Sequence, residues 1–174
     1  MVDKGDDMSD NTERGGEPAC WAHLVEGAED SGVVAPSDAD LAQLVRDAGD
    51  AIVISDAQGR ITFWNHAAER LFGWPASHAV GQTLDLIVPE RQRARHWAGY
   101  EQTMKTGETK YGTDLLQVPS LHADGERRSI AFTVTLLHDG GAAPSGIAAI
   151  IRDETARRRE DQALRQRVAE AGAG

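Results

Sequence analysis

DAIVISDAQGRITFWNHAAERLFGWPASHAV, residues 50–80, is the most legible stretch of this chain and divides into three parts. Ala51 to Ser55 is a short apolar run rich in β-branched residues. Asp56-Ala57-Gln58-Gly59 puts Asp and Gly where a tight turn needs them, and Arg60 to Trp64 alternates polar with apolar. Such alternation suits a half-buried strand, because successive side chains leave opposite faces of the pleat. Together these runs predict a β-hairpin. Asn65 then stands at a helix N-cap position, Ala68, Leu71 and Phe72 recur behind it at helical spacing, and Gly73 is placed to end the helix in a left-handed turn.

Upstream, Ser37-Asp38-Ala39-Asp40 has the form of a capping box. Leu41, Leu44, Val45 and Ala48 follow at intervals of three and four, and Gly49 closes a predicted helix over 37–49 whose apolar stripe needs a surface to lie on. Residues 1–36 are rich in Asp, Glu, Gly and Ser and poor in large apolar residues, so they cannot bury enough surface to offset the entropy of ordering. They read as a disordered acidic tail, with Trp21, Leu24 and Val25 as a small solvated cluster within it.

Downstream, Pro75 to Val80 reads as one helical turn ended by Gly81, and Leu84 to Val88 as an apolar link. Pro89, Glu90 and Gly107 bracket a helix from Pro89 to Thr106. Trp97, Tyr100 and Met104 form its inward stripe, with His96 at the border. Tyr111 to Val118 and Ile130 to Leu137 are predicted strands joined through a turn at Asp124-Gly125, and Ile130, Phe132, Val134 and Leu136 share one face. Ile147 to Ile151 is the last strand. Residues 154–174 are charged and helix-favouring, with only Leu164, Val168 and Ala171 aligned, and read as a linker helix.

Several of these features together resemble the PAS family: the hairpin turn Asp56 to Gly59, Trp64-Asn65, Ala68-Glu69, Leu71-Phe72-Gly73, Val80-Gly81, Ile87-Val88-Pro89, Asp124-Gly125 and Arg152-Asp153-Glu154-Thr155. No one of them is specific, but their order and spacing follow the family from Asp50 to Thr155. The resemblance implies an α+β fold in which a five-stranded antiparallel sheet, short helices and one longer helix enclose a small-ligand cavity. The PAS domain would span 50–153, with the flanking helices outside it. In such proteins the leading helix often packs on the outer face of the sheet or on a second copy, which implies a homodimer.

Pro89 to His96 resembles the long helix of FixL-type oxygen-sensing haem PAS domains, in which a histidine is the axial iron ligand, and the interval from His96 to Asp124-Gly125 matches that family without a gap. The resemblance implies haem b held by His96, Phe132 and Val134 lining the distal side, and Lys110 meeting a propionate. Leu116 falls where that family carries its ligand-gating arginine. The bland alternative for His96 is a partly exposed helix histidine beside Arg91, Arg93 and Arg95. A thiol-adduct flavin mechanism is excluded, because Gly81-Gln82-Thr83-Leu84-Asp85-Leu86 stands where it requires a cysteine. Trp64 and Asn65 match a region that holds flavin in redox PAS domains, and we read both as framework.

The formal net charge is −10, and residues 1–37 hold nine acidic residues against Lys4 and Arg14. The remainder is therefore near neutral, which disfavours nucleic-acid binding through a basic face. Cys20 is the single cysteine, which precludes an internal disulfide and suits a reducing, cytoplasmic setting. No apolar run is long enough to cross a bilayer. Gly140-Gly141 opens no helix, so no phosphate-cradling loop is present, and the loop residues His122 and His138 read as solvated. The expectation is a sensor rather than an enzyme, acting through the linker helix on a partner such as a histidine kinase or regulator. The alternative is a cofactor-free interaction module.

Overall fold

The β-branched run after Asp50 pairs on both of its edges. In the computed structural model, which describes residues 35–109 and 114–172, β1 (Ala51–Asp56) lies between β2 (Ile61–Trp64) and β5 (Gly146–Asp153). β4 (Arg127–Leu137) and then β3 (Leu116–Leu121) complete the sheet. The order is β2-β1-β5-β4-β3, with every pair antiparallel. The expected α+β architecture with a five-stranded antiparallel sheet is the observed one.

The register sorts the side chains into two faces. Ala51 pairs with Ile151, which pairs with Phe132, which pairs with Leu116. The next rows on that face are Val53, Ala149 and Val134, then Ser55, Ile147 and Leu136. β1 alternates strictly, with Ala51, Val53 and Ser55 buried, so this is the inner face. The hairpin turn places Gly59 at φ 74°, where glycine carries no steric penalty.

Asn65 caps α2 (His66–Phe72) as its position predicts, and Gly73 ends that helix at φ 75°. α2 delivers Ala67, Ala68, Leu71 and Phe72 to the inner face. With α3 (Ala76–Ala79) and Ile87 they form one core with Ala51, Val53, Ile61, Trp64, Ile130 and Ile151. Phe72 and Trp64 meet with ring centroids 5.2 Å apart. Each such side chain removed from water contributes about 1.5–3 kcal/mol.

A 3-10 turn, Leu84–Leu86, leads into α4 (Glu90–Thr106), which ends at Gly107 with φ 68°. Pro89 is the N-cap residue of α4 instead of its first helical residue. α1 (Asp38–Asp47) has no buried residue, and Leu44 on its apolar stripe is 66% exposed. α5 (Thr155–Gly172) starts at a clasp: Ser129 N–H donates to Thr155 Oγ1 (3.0 Å), and Glu154 N–H donates to Ser129 O (2.8 Å).

The starts of β3 and β4 differ most from expectation. β3 begins at Leu116, where the predicted strand began at Tyr111, and β4 begins at Arg127, where it was expected at Ile130. Their limits are set by each other, since the pairing runs from Leu116 with Phe132 to Leu121 with Arg127. Tyr111 itself, Lys110 and residues 1–34 lie outside the described residues.

Candidate functional site

α4 is amphipathic at the level of single contacts. Its inward stripe buries Tyr100, with Arg93, Trp97, Thr103 and Met104 half-buried around it. Both aromatic residues rest on the β1–β2 hairpin. A Cβ on Gly59 would collide with the Trp97 ring, so the glycine supplies the seat for the indole as well as the turn. The Trp97 indole N–H donates to Asp85 Oδ1 at 2.8 Å. Arg93 secures the helix start by donating to the carbonyls of Val88 (3.2 Å) and Asp85 (3.0 Å). One turn further on, the Tyr100 hydroxyl donates to Asp56 O at 2.5 Å and lies 2.9 Å from Ser55 Oγ.

His96 is half-buried between these groups. Its ring meets Trp97 edge-on, with centroids 5.1 Å apart and planes at 77°, and lies 6.0 Å from the Tyr100 ring. Nδ1 is shielded from solvent and has no hydrogen-bond partner among the described residues. Burial holds the imidazole below the ordinary histidine range, and the Asp85 carboxylate pulls it only partly back. The ring is therefore neutral at pH 7, the state in which a histidine nitrogen can bind a metal. Burial also pushes the Tyr100 phenol up, with the Ser55 hydrogen bond opposing and Asp56 adding to the shift.

The inner face of the sheet is closed at one end and only half covered at the other. Ile130 and Ile151 are buried in the core, whereas Phe132, Val134, Leu136 and Ile147 are each half-buried. Of the residues singled out from sequence, Leu116 and Phe132 are cross-strand partners, and Val134 follows on the same face. The structure brings those three together. The ring contacts of His96 are with Trp97 and Tyr100, and none among the described residues is with Phe132. Lys110 lies outside the described residues.

Ser55, Asp85, Trp97 and Tyr100 were not singled out as a group by the sequence. The one signal available was the inward stripe that already contained Trp97 and Tyr100. His122 is also not the solvated loop histidine that sequence suggests. Its side chain is 18% exposed, its Nδ1 lies 2.9 Å from Asp124 Oδ1, and its ring edge fills the space beside Gly73. Trp64 and Asn65 act as framework, with Asn65 buried and fully hydrogen-bonded. No group of three or more His, Cys, Asp or Glu among the described residues could hold a metal ion. None of the described helices is long and apolar enough to cross a membrane.

Comparison with known proteins gives three kinds of match. The family model for the PAS fold matches residues 39–153. An uncharacterized protein of Azorhizobium caulinodans is 33% identical over 93 residues, covering 53% of this chain and 13% of that protein. The sensor protein FixL of Bradyrhizobium diazoefficiens is 35% identical over 65 residues, covering 37% of this chain and 13% of FixL. The chain thus matches only a small part of the length of these relatives. Among solved structures, a PAS domain from Colwellia psychrerythraea superposes with a TM-score of 0.58 at 24% identity, over 66% of this chain and 94% of that one. A sensory box histidine kinase/response regulator from Burkholderia thailandensis gives 0.54 at 18% identity, over 77% and 98%. These likenesses fix the fold.

Proposed function

The chain belongs to the PAS family, a family of sensory domains, and from that premise we propose that it is a sensor of a small ligand, a gas or a redox state in signal transduction. The ligand is taken up between α4 and the half-covered end of the sheet, beside His96. The observation that carries this reading is the His96 ring, neutral and half-buried, with a shielded Nδ1 atom that has no hydrogen-bond partner among the described residues. Leaving a buried polar atom unpaired costs about 1–3 kcal/mol. An incoming ligand offsets that cost, so the site favours occupation.

Haem b fits the donor chemistry of this site. His96 would hold its iron, and haem would supply reversible binding of a diatomic gas or a change of iron oxidation state. The half-buried Phe132 and Val134 would flank its apolar edge. Lys110 is assigned to a propionate on resemblance alone. Leu116 offers no hydrogen bond to a ligand, so a gas would be held there without the polar contact that an arginine gives. Release of the signal runs through β5 into α5, whose residues 156–171 are all exposed. Most helical stability in proteins comes from packing of an apolar face, so α5 gains stability by docking on a partner, which we assign as a histidine kinase or regulator in the cytoplasm.

A second reading, a cofactor-free interaction module, draws on the outer face of the sheet. Ile52, Ile150 and Thr133 form one row there, and Ile150, on an interior strand, is 50% exposed. Leu44 of α1 and Leu164 and Val168 of α5 are exposed as well, and these apolar surfaces suit a homodimer under either reading.

One experiment separates the two readings. The protein is expressed with added haem precursor beside His96→Ala, and each is examined by absorption and by sedimentation. An intense Soret band present in the parent and lost in the variant is the expected result. A colourless, well-folded dimer would sink the haem reading and leave the interaction module.

A further inference from the structure

We propose that Tyr100 is the positioning residue of the His96 site, and that its hydroxyl is the buried contact through which the site is joined to β5. This rests on the sensory reading above and names the part that carries the signal out of it.

Tyr100 is 8% exposed, and its hydroxyl has two partners, both on β1. The phenol has one proton. With that proton directed to Asp56 O, the 2.9 Å contact with Ser55 is filled by the serine hydroxyl donating to the phenol oxygen. Ser55 is itself 3% exposed. The chain Ser55–Tyr100–Asp56 is therefore fully satisfied, in contrast to the orphaned His96 nitrogen one helical turn away.

The point of attachment matters as much as the bond. The register between β1 and β2 shifts between Ile54 and Ser55, so Tyr100 grips β1 at an irregularity in its ladder. On the opposite edge of β1, Ser55 pairs with Ile147 and Asp56 with Gly146, the first two residues of β5. The backbones approach so closely here that a Cβ on Gly146 would run into the Ser55 carbonyl. β5 cannot ignore a displacement of Ser55, and β5 leads without interruption to Asp153 and the start of α5.

Trp97 fixes the other end of the lever. It sits on Gly59 and is tied to Asp85, while Tyr100 holds Ser55 and Asp56. His96 lies between these two anchors on the helix. A ligand that draws the His96 ring must tilt or rotate α4, and the shortest-range contact to yield is the Tyr100 hydroxyl. A buried hydrogen bond is suited to this role because it is directional: a small rotation breaks it, where an apolar contact would merely slide.

The test uses the ligand-free chain. Ring-proton shifts of His96 at one fixed alkaline pH, together with backbone amide exchange, are followed by NMR in the parent, in Tyr100→Phe, in Ser55→Ala, and in Leu121→Ala as a control remote from the link. Both link variants are expected to shift the His96 ring protons, which sit against the Trp97 and Tyr100 rings, as α4 loosens. They are also expected to speed amide exchange at Gly146 to Ala148 by up to about tenfold, the loss of one buried hydrogen bond. The control should leave both readouts at parent values.

Unmoved His96 ring-proton shifts together with unmoved β5 exchange in Tyr100→Phe would overturn the proposal. If Tyr100→Phe fails to fold, Ser55→Ala decides, because it removes one arm of the link and keeps the phenol. A parent that binds neither hemin nor another ligand would overturn the sensory reading, and it would leave these ligand-free readouts as they stand, so the two failures are distinct.

Discussion

Asn65 spends every hydrogen-bonding capacity it has. Its Oδ1 accepts from Ile52 N–H and Ala68 N–H, both at 2.9 Å, and its Nδ2 donates to the carbonyls of Val45 and Asp50, both at 3.1 Å. One buried side chain therefore joins α1, β1 and α2. The N-cap half of this role was legible from the sequence, since Asn followed by helical spacing is a known start signal. The donor half was not, because it depends on where α1 ends. Asn65→Asp keeps the acceptors and turns the donors into a carboxylate facing two carbonyls. We predict a loss of about 2 kcal/mol or more in urea denaturation; parent-like stability would mean the donor bonds contribute nothing.

His96 makes a pH prediction at the same scale. Its pKa is lowered on folding, so the unfolded chain takes up the proton first as pH falls. The ring's contribution to stability is full above the unfolded value of about 6.5 and is lost progressively as pH falls from there toward the folded pKa. His96→Gln should flatten that part of the stability profile relative to the parent. Parallel profiles for the two proteins would contradict a buried neutral ring.

Among the elements, the hairpin and α4 are coupled through Gly59. The turn residues announced Gly59, and the inward stripe announced Trp97, but nothing in the sequence said that one seats the other. Contacts between residues far apart in the chain follow from how helices lie on the sheet, and periodicity is silent about that. Gly59→Ala places a Cβ at φ 74° and against the Trp97 ring. The left-handed backbone alone costs about 1–2 kcal/mol. A double-mutant cycle with Trp97→Ala should show the two changes to be non-additive, because the smaller residue at 97 relieves the collision; strict additivity would mean that the ring does not rest on the turn. α1 gives the complementary lesson. Its apolar period was readable, but a period identifies a face without saying what covers it, and Leu44 remains exposed.

For the molecule as a whole, order and spacing of weak motifs carried more than any one residue did. They gave the five-stranded sheet, the long helix and the exit through Asp153, because each turn glycine and cap punctuates the chain at a position the fold requires. The start of β3 was less legible because an edge strand takes its length from its neighbour. Of the candidate site, His96, Phe132, Val134 and Leu116 were named from resemblance, whereas the link from Tyr100 to Ser55 spans 45 residues and has no local signature. The central claim is that occupation of the His96 site is felt at the far end of the sheet. Amide hydrogen exchange with and without hemin tests this most directly. The account predicts altered protection at His96 to Tyr100, along β5 from Gly146 to Asp153, and in the first turn of α5. Bound hemin with changes confined to α4, and β5 and α5 untouched, would contradict it.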